Sequence, residues 1–378
     1  MDALTTPLPK DWEVKTFRDI STINQGLQIP ISQRLKAPTE HAKFYITIQA
    51  LNNRKEFEYI KTYNESVVCH KDDILMTRTG NTGMVITNIE GVFHNNFFKI
   101  NFDRTLINKD FLVYFLSLEQ TQKTILKKAG TSTIPDLNHN DFYSLSIPLP
   151  PLNEQIAIAN ILSDVDRYLY SLDALILKKE SVKKALSFEL LSQKKRLKGF
   201  NQAWQRVRLG DICEITTGSL DANEMVHYGK YRFYACAKEY YFIDKYAFDT
   251  EAILISGNGA YVGYVHYYKG KFNAYQRTYV LDNFSEHIIF VKYFLTMFLQ
   301  SHIQTNRNEG NTPYIVMATL KDFEILLPPL NEQIAIANIL SGLDHEITSL
   351  KNKKRQFENI KKALNNDLMS AKIRVLKQ

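Results

Sequence analysis

The sequence predicts an α+β fold in which two α/β domains are joined by two long helices, and the helices form an antiparallel coiled coil with pseudo-two-fold symmetry. Three observations lead there. Leu149 to Ser163 and Leu327 to Ser341 both read LPPLNEQIAIANILS, fifteen positions without a change and 178 apart. Each copy opens a segment of about fifty residues with a sustained heptad pattern. The segments before each copy echo one another faintly and alternate short β-rich runs with Gly- and Asn-rich loops. The layout is domain 1–150, helix 151–200, domain 201–328 and helix 329–378.

The helices follow from period and punctuation. Pro-Pro-Leu-Asn is an entry signal, with Asn153 and Asn331 as expected N-caps, and no proline follows inside either segment. In the first copy the a positions are Leu162, Leu169, Ile176, Lys183 and Leu190, and the d positions are Ile158, Val165, Leu172, Lys179 and Leu186. In the second, Leu340, Ile347, Lys354, Lys361 and Leu368 stand at a, with Ile336, Leu343, Leu350, Phe357 and Leu364 at d. Sixteen of these twenty positions are apolar, which argues for a coiled coil over a surface helix. The seam lysines are expected to lay their stems along it and send their ammonium groups to water. Because the identical stretch includes Asn153, Glu154, Gln155 and Asn160, matched by Asn331, Glu332, Gln333 and Asn338, the simplest reading is one surface offered to two copies of one partner. Recent duplication or gene conversion is the other explanation.

The domains share a plan. Trp12 and Trp204 precede Asp19-Ile20 and Asp211-Ile212, and each segment then reaches a glycine, Gly26 and Gly218. Strands are expected at 44–48, 74–77, 84–87 and 97–101, then at 231–235, 252–256, 264–268 and 278–281, with one helix per domain at 109–128 and 287–303. Gly257 to Gly263 superficially resembles a dinucleotide fingerprint, but its spacing is wrong and a strand follows it, so it reads as a turn.

Composition bounds the function. At 378 residues, 44% apolar and 23% charged, the chain folds into real cores. Its apolar runs are too short for a bilayer span and its N-terminus has no leader pattern, so a cytoplasmic, non-membrane protein is expected. Cys69, Cys213 and Cys236 are too scattered for a zinc site or a disulfide frame. Of the net charge of +7, the helical segments carry +3 and +4 and the domains +1 and −1. There is no phosphate-cradling loop, HExxH or nucleophile elbow, and no metal site is expected, so the chain is not expected to be an enzyme by itself.

The loops carry the remaining chemistry. Thr77, Arg78, Thr79, Asn81, Thr82, Asn95, Asn96, Thr131, Ser132, Thr133 and Asn138 in the first domain supply hydrogen-bonding groups. So do Ser256, Asn258, Tyr261, Asn273, Gln276, Arg277, Asn311 and Thr312 in the second. Arginine reads guanine and Asn or Gln reads adenine through bidentate geometry, while hydroxyls and amides suit phosphate. These residue types also make ordinary turns.

Two unlike domains, each followed by a helix with the PPLNEQIAIANIL opening, resemble the DNA specificity subunits of type I restriction-modification systems. The resemblance covers essentially the whole chain and implies that the domains are target recognition domains, each reading half of a split target in double-stranded DNA. It implies that the coil fixes the gap and that each conserved helix docks one methyltransferase subunit. Two restriction-translocase subunits would join for cleavage, and S-adenosylmethionine, ATP and magnesium would belong to those partners. Base-contacting positions do not transfer from the family, so the loop residues above rest on placement alone. A duplicated coiled-coil adaptor that binds two protein partners without reading DNA is the alternative.

Overall fold

The computed structural model describes residues 8–52, 57–131, 133–305 and 313–375. The chain divides into two compact units, residues 1–172 with 353–378, and residues 173–352. Both long helices, Leu152–Leu191 and Leu330–Met369, contribute to both units.

In unit 1, β1 (Glu13–Thr16) pairs with β10 (Ser146–Leu149) and closes the domain just before the first long helix. The remaining strands are β2 (Ser21–Gln25), β3 (Lys43–Ile46), β4 (Tyr59–Ile60), β5 (Val68–Cys69), β6 (Ile74–Thr77), β7 (Val85–Ile86), β8 (Gly91–Phe93) and β9 (Phe97–Phe102). They form two four-stranded sheets, ordered β2-β9-β6-β7 and β4-β3-β8-β5. The helix expected at 109–128 is two, Lys109–Leu116 and Glu119–Ala129. The break is stabilised locally: Leu118 is buried in extended backbone, and the Gln122 amide donates to the Leu116 carbonyl at 2.6 Å.

In unit 2, β11 (Gln205–Arg208) pairs with β18 (Glu324–Leu327) as β1 does with β10. Between them, β12 (Glu214–Thr217), β13 (Tyr231–Tyr234), β14 (Tyr241–Ile243), β15 (Phe248–Ser256), β16 (Val265–Ala274) and β17 (Thr278–Asp282) form one six-stranded sheet, ordered β12-β17-β15-β16-β13-β14. The helix Ile288–Thr305 packs its Phe290, Phe294 and Leu299 into the main core.

Each unit carries one stretch of the helix pair. In unit 1, Ile158 and Leu162 share a core with Leu364, Leu368 and Met369, and the Tyr168 and Phe357 rings lie 4.6 Å apart. In unit 2, Leu186 and Leu190 pack with Ile336 and Leu340. Rising numbers on one helix meet falling numbers on the other, as in Asp166 with Lys361 and Glu154 with Arg374, so the pairing is antiparallel. All twenty seam positions are buried or half-buried. Three of the seam lysines do not simply reach for water: Lys183 bonds to Asp344, Lys179 meets Glu346 at 2.7 Å, and Lys361 meets Asp166 at 2.5 Å. Carboxylates one position from the opposing seam capture them, which the heptad pattern of either helix alone does not show.

The expected N-caps are displaced by two residues. The helices begin at Leu152 and Leu330, and the Pro151 and Pro329 carbonyls accept the first backbone N–H groups, from Glu154 at 2.9 Å and Glu332 at 2.8 Å. The Asn153 and Asn331 side chains accept from the same two N–H groups, from inside the first turn.

Candidate nucleic-acid interface and its helical socket

The doubled motif is first a socket. Glu154 and Glu332 are 2% and 0% exposed, and each carboxylate accepts at 3.1 Å from a tryptophan ring N–H, of Trp12 in unit 1 and Trp204 in unit 2. Each also takes an arginine fork: Arg374 reaches Glu154 at 2.7 and 2.8 Å, and Arg196 reaches Glu332 at 3.2 and 2.6 Å. The two arginines stand 178 positions apart, like the glutamates. The hydrogen bonds Arg374 donates to Glu154 and Asp11 push its guanidinium further above its ordinary value, so it is charged at any working pH.

Gln155 and Gln333 complete the socket. The Gln155 amide accepts from the Asn108 N–H at 2.9 Å and donates to the Leu106 and Pro150 carbonyls. Gln333 accepts from the His287 N–H at 3.0 Å and donates to Glu286 and the Pro328 carbonyl. The expectation that Glu154, Gln155, Glu332 and Gln333 face a partner is therefore corrected, because they are buried and hold each domain to its helix. An uncompensated buried carboxylate is costly, so these four positions resist change for internal reasons. Asn153, Asn160, Asn331 and Asn338 remain exposed, as do Ile156 (41%) and Ile334 (38%) between them. A second lock also occurs in both units, with its aspartates 178 positions apart and its tyrosines 179. Tyr114 donates to Asp166 at 2.8 Å and Tyr293 to Asp344 at 2.6 Å, and burial with these carboxylates pushes both phenols well above their usual range.

The recognition loops divide into framework and surface. Thr77 is buried and its hydroxyl donates to the Asn81 carbonyl while accepting from the Met84 N–H, so it holds the loop rather than facing outward. Thr82 is buried and donates to the Pro135 carbonyl at 2.7 Å. Asn138 caps the helix His139–Tyr143, accepting from the Asp141 N–H. Asn273 is 4% exposed and bonded to the Lys245 carbonyl and the Ala274 N–H, and Ser256 is fully buried. Arg78 pairs with Asp136 at 2.7 Å and lies over the Phe98 ring. These six expected contacts are turned inward: Thr77, Thr82, Asn138 and Asn273 satisfy the backbone of the turns they introduce, Arg78 is held by a carboxylate, and the Ser256 hydroxyl is buried without a partner among the described residues.

The rest sit at the loop surface. Asn81, Thr131 and Thr133 are exposed; Thr79, Asn95 and Asn96 are half-exposed. Asn258 is half-exposed, and Tyr261, Gln276 and Arg277 are exposed. Ser132, Asn311 and Thr312 lie outside the described residues. The two sets occupy equivalent loops: Arg78 N–H donates to the Asn96 carbonyl and Gly257 N–H to the Arg277 carbonyl. The stretch 257–263 is the turn between β15 and β16, with Gly259 and Gly263 at φ +78° and +79°. In each unit a histidine packs edge-on against a buried tyrosine, His94 against Tyr45 and His266 against Tyr234. Burial holds both imidazoles below their ordinary value and thus neutral.

Sequence reasoning missed two features. In unit 1 a 570 Å³ cleft is lined by Arg34, Gln49, Asn52, Glu58, His94 and Asn96. In unit 2 the face of the large sheet carries Arg232 amid tyrosines, with Tyr240, Tyr241 and Phe242 exposed beside it. Equivalent strands carry Lys43-Phe44-Tyr45 and Arg232-Phe233-Tyr234, but that likeness by itself singles out neither feature. Cys69 and Cys213 have thiols pushed up to about 12 by burial, so neither is a reactive thiolate. Among the described residues no helix is long and apolar enough to cross a membrane, and no three His, Cys, Asp or Glu cluster as metal ligands do.

A family model for the type I restriction modification DNA specificity domain matches the chain twice, over residues 9–181 and 201–359, and the chain belongs to that family. It is accordingly a specificity subunit carrying two such domains, and the adaptor reading is not favoured. Over 162 residues it is 39% identical to the EcoDI specificity subunit of Escherichia coli, a match covering 42% of this chain and 35% of that relative. The chain thus spans about a third of the length of that relative. The MjaVIII specificity subunit of Methanocaldococcus jannaschii is 25% identical over 97% of this chain and 94% of its own. The crystal structure of a type I restriction-modification S subunit from M. genitalium superposes with a TM-score of 0.64, covering 96% of this chain and 98% of that one at 19% identity. That last likeness is one of fold.

Proposed function

We propose that this chain is the non-catalytic DNA-reading subunit of a cytoplasmic type I restriction-modification complex. The loops of each unit read one half of a split, asymmetric target in double-stranded DNA, and the paired helices set the number of unread base pairs. One observation carries the reading: a single repeated socket of Trp, Glu, Gln and Arg supports two heads with unlike surface loops, which carry Thr79, Asn81, Asn95 and Asn96 in one and Asn258, Tyr261, Gln276 and Arg277 in the other. Identical mounts with unlike heads suit a reader of two different half-sites.

Chemistry falls to the partners. Two methyltransferase subunits, holding S-adenosylmethionine, would each dock on one exposed copy of the repeat, through Asn153, Ile156 and Asn160 or Asn331, Ile334 and Asn338. Two restriction-translocase subunits would supply ATP- and magnesium-dependent cleavage. The test is the methylome of a strain with and without this gene. A split motif with different halves, lost when the gene is removed, is the expected outcome; no gene-dependent methylation overturns the reading. Four residues inserted after Leu175 would add about 6 Å of helix. The gap in the motif should then change while both half-sites stay the same, and an unchanged gap removes the spacer role.

A further inference from the structure

Arg232 lies on β13, inside the six-stranded sheet of unit 2. Its guanidinium carbon sits over two rings, 4.2 Å from the Tyr240 centroid and 4.4 Å from the Tyr268 centroid. Among the described residues no carboxylate forms an ion pair with it, and its one hydrogen bond is a long one, from Nη1 to the Tyr234 hydroxyl at 3.4 Å. The head of unit 1 disposes of its arginines differently. Arg34 meets Glu58 at 3.0 Å and donates twice to the Ile29 carbonyl, and Arg78 meets Asp136. The Arg34 fork is engaged within the protein and Arg78 is tied to a carboxylate, whereas Arg232 is held against two tyrosine rings with donors still open.

That combination has a physical consequence. Stacking leaves the edge of a guanidinium, where all its N–H groups point, available for a planar acceptor. It also removes beforehand the torsional freedom that a contact would otherwise have to suppress. A bare arginine on a surface, such as Arg277, has the charge without the orientation. Arg232 is half-exposed and is bordered by exposed Tyr240 and Phe242.

Resting on the function proposed above, we propose that Arg232 is a specificity-determining residue of unit 2. Its fork donates two hydrogen bonds to O6 and N7 of a guanine in the major groove, while Tyr240 and Tyr268 are positioning residues that fix its plane.

The experiment uses the full chain co-expressed with the modification subunits of its own system. Methylated motifs are sequenced genome-wide, and binding of the assembled complex to cognate and single-substitution duplexes is measured over a salt series. Arg232→Lys and Arg232→Gln are compared with Arg232→Ala, and thermal midpoints establish that each variant folds. Should the Ala variant not fold, the Lys and Gln variants decide. The expected result is loss of one guanine requirement in one half-site, with discrimination at that position falling at least about tenfold while the other half-site is unchanged. Lysine should not rescue it, since a point charge cannot form the fork, and Tyr240→Leu should relax the same position partially. An unchanged motif in the Lys variant overturns the inference. So does a uniform loss across all sequences with a salt slope reduced by about one, which marks a phosphate contact. Absence of any split motif with the unaltered chain overturns the proposed function itself, and the inference with it.

Discussion

In unit 2 a single ten-residue strand, β16, pairs with both β15 and β13, whereas unit 1 covers the same ground with β7 and β8, separated by residues 87–90. Asn88 in the interruption takes φ +57°, and Gly91 resumes at +152°, where a Cβ would lie 2.2 Å from the Phe44 carbonyl oxygen. One consequence is two four-stranded sheets in place of one six-stranded sheet. Another is chemical. Tyr268 stands in the part of β16 that unit 1 interrupts, and Lys43, on the strand equivalent to that of Arg232, has among the described residues only the Tyr63 ring beneath it at 5.9 Å. Beneath these heads the sockets repeat nearly atom for atom. Constancy is located where a domain meets its helix, and variation where loops and sheet faces meet solvent.

The sharpest way to break this comparison is through the sockets. Glu154→Ala and Glu332→Ala each strand a tryptophan N–H and take a carboxylate from an arginine, and should cost about 3 kcal/mol or more. The unit 2 change should be the more severe. Arg374 retains Asp11 at 2.7 Å, while among the described residues Arg196 has Glu332 as its only acid partner. Calorimetry of the two variants checks the order, and equal losses would show that Asp11 adds nothing.

The loops sharpen it next. Gly257 occupies the place of Arg78, but a Cβ there would lie 2.3 Å from the Arg277 carbonyl oxygen. Gly257→Ala should therefore cost about 1–3 kcal/mol and displace the loop bearing Arg277, visible in the urea midpoint and as weakened DNA binding. Arg78→Ala should lower stability by about 1 kcal/mol through the lost Asp136 bond and leave the methylated motif intact. Arg277→Ala should change stability by less than about 0.5 kcal/mol while reducing the salt slope of DNA binding by about one. A motif change in the Arg78 variant would reverse the assignment of framework and surface.

The smallest effect is expected from the paired histidines. His94 and His266 have folded values depressed, chiefly by burial, so the stability they contribute is present above the unfolded value near 6.5 and is lost as pH falls through the depressed values. Thermal midpoints measured from pH 7.5 to 5.5 should fall in the wild type. The fall should be shallower in His266→Gln, and a profile indifferent to both rings would place them outside the cores.

Much of this was legible in the sequence. The heptads located every seam position, because a buried helical stripe must recur at a period near 3.5 whatever it packs against. Alternation and Gly/Asn punctuation located the principal strands, and the repeat announced that one structural unit occurs twice. What the sequence could not separate was the reason for each identical residue. Glu154 and Asn153 are neighbours in the same repeated motif, yet one is buried on a tryptophan and an arginine 220 positions away, and the other faces solvent.

The recognition loops divide in the same way. Thr77, Thr82, Asn273 and Arg78 have the composition of a binding surface, but their polar groups satisfy backbone and carboxylates that only folding brings near. Arg232 carried no local mark, since its stacking partners come from β16 and from the segment ahead of β14. Periodicity and repetition are properties of the chain itself, so the order of residues determined the helices, the doubled plan and the family. Which polar side chains are spent internally and which remain for a ligand depends on long-range contacts, and the tertiary structure alone decided that.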